Sequence, residues 1–456
     1  MKDLLIKSVR IVNENEVFPG SIIIQNGKIH RIIKGYELSV DLSDYEVIDG
    51  DEKYLLPGII DEHVHFREPG LTHKGDISSE SAAAVAGGVT SFMEMPNTVP
   101  QTTTLDLLEQ KQELASQKSL ANYSFYLGAT NDNLREIKKI DPAKVCGVKL
   151  FMGASTGNML VNKPKILEGI FAECPVIIAL HCEDEKTIRK NSEIYREKYG
   201  EKIPAKCHPL IRSSEACFKS SSHAVNLARK YKSRAHILHV STRQELDLFE
   251  PVPLSPAKLI TSEVCVHHLW FDDTRYGQLG NLMKWNPAIK TADDRNGLFE
   301  GLIHGRIDVI ASDHAPHTLE EKRNKYFNSP SGGPLIQHSL PAMLELFHLE
   351  KLSIQTIVNK MSHAPARLFN IKDRGFIREG YWADLVLVDP ESPWTVTPDN
   401  ILYKCKWSPF VDQTFHSKII CTFVNGRKVY ENPVGDTFTH NLYREHSGMR
   451  LDFERD

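Results

Sequence analysis

Residues 55–65 read LLPGIIDEHVH. Residues 55–60 form an apolar run of strand type, and Asp61-Glu62-His63-Val64-His65 closes it. On a strand, residues two apart share a face, so His63 and His65 can reach one metal ion. An HxH pair alone is a weak motif, and a satisfied core histidine is the ordinary alternative. The same design recurs, however. VIIALHCED (176–184) carries His181 at its end, AHILHVS (235–241) carries His239, and IDVIASDHAPH (307–317) carries Asp313. Each places a metal-capable side chain where an apolar strand runs out. Five such residues at four strand ends are hard to explain as satisfied core groups.

Working outward, further apolar runs occupy 88–95, 122–129, 146–152 and 259–267. Helical stretches at 78–86, 104–117, 184–199, 213–231, 243–250 and 293–304 separate most of them. Strands rich in Val, Ile and Leu that alternate with helices indicate a parallel sheet buried on both faces. Eight such units in about 300 residues fit a (β/α)₈ TIM barrel, whose active sites lie at the C-terminal ends of the strands. A doubly wound open sheet shares the local pattern, but no GxGxxG follows the first strand. Both ends of the chain read as short strands, with Asn26-Gly27 and Asn425-Gly426 as hairpin turns. The expected α/β architecture is therefore a TIM barrel (56–370) with a small composite β-sandwich domain built from 1–55 and 371–456, the latter including a C-terminal tail.

Composition narrows the function. The 456 residues are 41% hydrophobic and 25% charged, which suits a packed core. A formal net charge of −4 argues against nucleic acid as a partner. No run approaches the roughly 18–20 apolar residues of a membrane span, and the N-terminus lacks a secretion signal. None of the eight cysteines forms a CxxC pair, as expected of reduced thiols in a cytoplasmic protein.

Lys149 stands out within CGVKLFMG (146–153). A charged, unpaired lysine inside an apolar strand is unfavourable, and burial would lower its pKa and make the amine nucleophilic. The alternative is a side chain that snorkels to the rim.

The segments DEHVHFREPG (61–70), AAAVAGGVTSFMEMPNTVP (82–100), KLFMGAS (149–155), ALHCED (179–184), ILHVST (237–242), NPAIK (286–290) and SDHAPH (312–317) together resemble the dihydroorotases of the amidohydrolase superfamily. The resemblance runs through the whole barrel in order, and the β-rich flanks fit it. It implies a zinc enzyme of pyrimidine biosynthesis that interconverts N-carbamoyl-L-aspartate and dihydroorotate. Its cofactor would be two Zn²⁺ ions bridged by carboxylated Lys149. His63, His65 and Asp313 would hold one ion, and His181 and His239 the other. Two such ions roughly 3.5–4 Å apart lower the pKa of a shared water, giving a bridging hydroxide as nucleophile. Asp313 would be the catalytic residue, passing the proton to the leaving nitrogen. The resemblance also suggests a homodimer.

Dihydroorotate carries a ring carboxylate, so the site needs a cation. By resemblance, Arg67, Asn97 and His317 bind that group, and Arg67 is the feature that hydantoinases and allantoinases typically lack. Asn286 and the backbone near Gly332 and Gly333 are expected to face the ring. Arg67 could instead pair with Glu68 or Asp76, and His317 could cap the turn before residues 319–325. The sequence departs from the family in places: Ala288 stands where a second proline is common, Gln337 where glutamate is, and His73, Lys74 and Gly75 differ from the commonest local pattern. The segment STGNML (155–160) suits a mobile cover and a fixed connection equally. A hydantoinase-like or allantoinase-like hydrolase and a non-catalytic scaffold relative are the competing readings.

Overall fold

The computed structural model describes residues 2–153, 159–433, 438–445 and 448–455. Most of the 155–160 segment, residues 155–158, lies outside them. Among the described residues, eight parallel strands form a barrel. They are β1 (Ile59–Val64), β2 (Val89–Glu94), β3 (Asn122–Phe125, resumed after Tyr126 as Leu127–Gly128), β4 (Val148–Phe151), β5 (Ile178–His181), β6 (Ala235–Ile237), β7 (Ile260–Cys265) and β8 (Val309–Ala311). Neighbours pair in chain order. The ring closes between β8 and β1. There Val64 bridges His314, the His65 amide donates to the His314 carbonyl at 2.7 Å, and the Ser312 amide donates to Asp61 Oδ1 at 3.1 Å.

The strands are apolar because helices and barrel interior cover both faces; β1 and β2 are buried throughout. The helices start where the sequence offers caps. Asp76 and Ser79 form a reciprocal capping box before Ile77–Ala86, Thr291 and Asp294 do so before Ala292–Ile303, and Ser213 caps Ser214–Tyr231. The expected helix at 243–250 is a tight 3₁₀ turn, Gln244–Leu248. The expected strand 122–129 breaks at Tyr126, whose hydroxyl donates to the Glu62 carbonyl inside the barrel.

Strands from both ends of the chain form a second, nine-stranded sheet among the described residues. Tyr54–Pro57 is its seam: it pairs parallel with Asp3–Asn13 and antiparallel with Leu385–Asp389. The chain then passes through Gly58 into β1. A Cβ on Gly58 would lie 2.1 Å from Thr90 Oγ1, so only glycine fits this junction. Both Asn-Gly pairs adopt positive φ, as two-residue hairpin turns of this kind require: +52° and +81° at Asn26-Gly27, +53° and +75° at Asn425-Gly426. The chain is thus a TIM barrel with a composite β domain. No helix among the described residues is long and apolar enough to cross a membrane.

Candidate metal centre and substrate pocket

The strand-end residues singled out in the sequence converge on one cavity of about 230 Å³ at the C-terminal end of the barrel. His63, His65, Lys149, His181, His239 and Asp313 line it, and all six are buried. His63 Nε2 and His65 Nε2 each lie 3.2 Å from Asp313 Oδ1. His181 Nδ1 lies 2.9 Å from His239 Nε2. Lys149 does not snorkel: it is 1% exposed, and its Nζ sits 4.8 Å from the Phe151 ring centre. Burial lowers its pKa to about 8, so a far larger share of the amine is neutral near physiological pH than for an ordinary lysine, though the charged form still dominates.

The hydrogen bonds behind the cluster fix the imidazole tautomers. His65 Nδ1 donates to Asn97 Oδ1 at 2.7 Å, and His63 Nδ1 donates to the Glu263 carboxylate at 3.1 Å. His181 Nε2 donates to Glu183 Oε2 at 2.9 Å. Burial holds these rings neutral: the pKa of His63 falls to about 4, and those of His65 and His239 fall well below the usual range. With the far nitrogens protonated, His63 Nε2, His65 Nε2 and His181 Nδ1 turn lone pairs inward. Two of them face the Asp313 carboxylate, with no proton between whenever that carboxylate is ionised. Such a convergence of electron pairs is repulsive unless a cation sits among them. The spacing suits one, because zinc–nitrogen bonds of ~2.0–2.1 Å in a tetrahedron separate the ligand atoms by roughly 3.3 Å. Imidazole and carboxylate donors also suit zinc. The residues present therefore fit a divalent metal.

Three cavity residues hold strained backbone. Arg67 (φ +71°), His239 (+40°) and Asp313 (+48°) occupy the left-handed region, which costs non-glycine residues of order 1–3 kcal/mol each and clusters at functional sites.

Arg67, Asn97, Asn286, His317 and Gly332 line the same cavity. Arg67 is buried, and neither of its sequence alternatives is realised. Glu68 pairs with Lys118 at 2.6 Å, and Asp76 caps a helix and pairs with Lys404 at 2.6 Å. Arg67 instead donates to the Pro316 carbonyl at 3.0 Å, and its Nη2 lies 3.1 Å from His317 Nε2. Among the described residues it has no ion-pair partner, and burial lowers its pKa only to about 10, so it stays charged. The cap before Leu319–Lys322 is Thr318, not His317. Asn286 Oδ1 is buried without a hydrogen-bond partner among the described residues. Gly333 does not line the cavity. Its carbonyl accepts from Ala315 N, and a Cβ there would lie 2.7 Å from the Trp285 ring.

Two carboxylates escaped the sequence reading. Glu263, on β7, accepts from His63 Nδ1 and, at 2.8 Å, from the His239 amide, so one side chain braces both halves of the cluster. Glu183 receives His181 and a short ion pair from Arg212. Burial raises its pKa, but Arg212 and His181 outweigh that and hold it at about 2. A charged residue inside an apolar strand was the signal that exposed Lys149, and Glu263 in ITSEVC carries the same signal.

A profile of the amidohydrolase family matches residues 54–429. The dihydroorotase of Methanosphaera stadtmanae is 30% identical over 443 residues, covering 95% of this chain and 97% of that protein. That of Methanosarcina acetivorans is 32% identical over 422 residues, covering 90% and 88%. Among solved structures, the L-hydantoinase (dihydropyrimidinase) of Arthrobacter aurescens superposes with a TM-score of 0.87 at 28% identity, covering 96% of this chain and 98% of that one.

Proposed function

The chain belongs to the amidohydrolase family, and from that premise we propose that it is a zinc-dependent dihydroorotase. It is a hydrolase acting on cyclic amide C–N bonds. In the proposal its reaction is the reversible closure of N-carbamoyl-L-aspartate to (S)-dihydroorotate and water, a step of pyrimidine biosynthesis. The observation that carries this reading is Arg67, a buried guanidinium with no ion-pair partner among the described residues, facing the cavity that holds the metal-type cluster. A carboxylated ring supplies the missing anion.

His63, His65 and Asp313 would hold one zinc ion and His181 and His239 the other, with carboxylated Lys149 between them. When bound, the pair supplies Lewis acidity toward the ring carbonyl and lowers the pKa of water. The chain's own residues do the rest. Arg67 and His317 grip the ring carboxylate, with Asn97 contributing its amide N–H while its oxygen holds His65. Asn286 and Gly332 meet the ring. Asp313, whose pKa burial raises, takes a proton at its carboxylate during hydrolysis and delivers it to the departing ring nitrogen. Ring closure runs the same transfers backwards.

Arg67→Met tests the reading. Loss of a charge-assisted clamp should raise KM for dihydroorotate about 100-fold with metal content unchanged. An unchanged KM places the carboxylate elsewhere. The likeness to L-hydantoinase favours a second reading, opening of an uncarboxylated ring. A non-catalytic scaffold is disfavoured by a complete set of donors.

A further inference from the structure

One wall of the cavity is made by Pro330, Ser331 and Gly332. Two buried lysines that do not line the cavity hold this wall. Lys322, at the end of the short helix Leu319–Lys322, is 1% exposed and has no ion-pair partner among the described residues. Its ammonium group donates to the carbonyls of Lys284 (3.2 Å), Pro330 (2.9 Å) and Gly332 (2.8 Å). Three carbonyl acceptors surround the nitrogen, as many as an ammonium group has N–H donors, while burial pushes its pKa well down. Lys284 works beside it, donating to the carbonyls of Tyr326 (2.6 Å) and Ser329 (2.5 Å), while its own carbonyl accepts from the Gly332 amide at 2.9 Å.

A buried ammonium without an anion is strongly unfavourable unless every N–H is matched. Here the match is made almost wholly with the backbone of one loop. That loop also joins the proposed carboxylate clamp, since His317 Nε2 lies 3.1 Å from the Ser331 carbonyl oxygen and 3.1 Å from Arg67 Nη2. Gly332 has φ +118°, and a Cβ there would lie 2.7 Å from the Ala315 carbonyl, so the wall has little freedom to rebuild itself.

We propose that Lys322 is a positioning residue for the substrate ring: by gathering the Pro330 and Gly332 carbonyls it sets the wall that the ring packs against and holds that wall in register with His317 and Arg67. The inference deepens the dihydroorotase reading and rests on it.

The test is steady-state kinetics of zinc-loaded Lys322→Met and Lys322→Gln, with metal content and thermal unfolding measured on each. K322M leaves the Pro330 and Gly332 carbonyls without this donor, while the Lys284 carbonyl keeps the Gly332 amide, and KM for dihydroorotate should rise at least about tenfold while kcat stays within about threefold and metal content is unchanged. K322Q, with two N–H donors and no charge, should fall between K322M and the parent. A folded, metal-loaded K322M with the parental KM overturns the proposal, as does a fall in kcat at constant KM. Should K322M fail to fold, K322Q decides alone, and a parental KM there overturns it. The parent protein is the control for the substrate reading. If it opens only an uncarboxylated ring, that reading fails separately, and the same KM comparison is made on the ring it does open.

Discussion

Asp313 shows how much one residue is asked to do. Its carboxylate faces His63 and His65, its backbone is strained, and burial favours its protonated form. In the proposed reading, removing it takes away one metal donor and the proton carrier together. Asp313→Ala should lower kcat by 10³-fold or more, about the upper range for general acid–base groups, while part of the metal remains bound through the four histidines. Undiminished turnover in a folded D313A protein would remove Asp313 from the proton transfer. The six metal-type residues were legible because each interrupts or ends an apolar strand with a chemically distinct group. The pairings that set their tautomers were not, although Asn97 itself was expected at the site. Pairings such as Asn97 with His65 and Glu263 with His63 span 32 and 200 residues, and no local pattern records them.

At the scale of elements, β7 carries more than its place in the barrel. Glu263 projects from it to His63 Nδ1 and to the His239 amide, so a strand that offers none of the proposed ligands braces two of them, from β1 and from the end of β6. Carboxylates placed behind metal-bound histidines typically contribute 10–100-fold to metal affinity. Glu263→Gln should therefore weaken zinc binding by about that factor, read by competition with a chromophoric chelator. Parental affinity would mean that the strand alone holds the histidines in place. Strand and helix order was largely readable from alternation of apolar runs and caps. The break at Tyr126 and the 3₁₀ turn at Gln244–Leu248 were not. The first depends on a hydroxyl reaching Glu62 across the barrel, and the second on the buried Glu245 side chain accepting from Ser221 and Thr242.

Across the whole molecule, barrel and terminal sheet are joined covalently at Gly58 and electrostatically at Asp384. That buried carboxylate pairs with Arg374 at 2.5 Å, accepts from Asn122 on β3 at 3.1 Å, and accepts from the Asn425 amide of the hairpin turn at 2.8 Å. Cutting one partner from a buried pair leaves the other charge stranded, at a cost of about 3–5 kcal/mol. Asp384→Ala should lower the unfolding free energy by about that amount; a loss below about 1 kcal/mol would show that the two parts do not depend on this junction. The composite sheet was legible because both termini carry strand runs and Asn-Gly turns, whereas the Asn122–Asp384 hydrogen bond that ties it to the barrel lies in stretches with no unusual composition. In the proposed reading, a barrel-end metal site and a buried cation without an ion-pair partner among the described residues together select a carboxylated cyclic amide. The most direct test is turnover by purified, zinc-loaded protein of dihydroorotate beside hydantoin, allantoin and dihydrouracil. Selective opening of dihydroorotate, with closure of N-carbamoyl-aspartate at lower pH, is the predicted result. Activity confined to the uncarboxylated rings would contradict it.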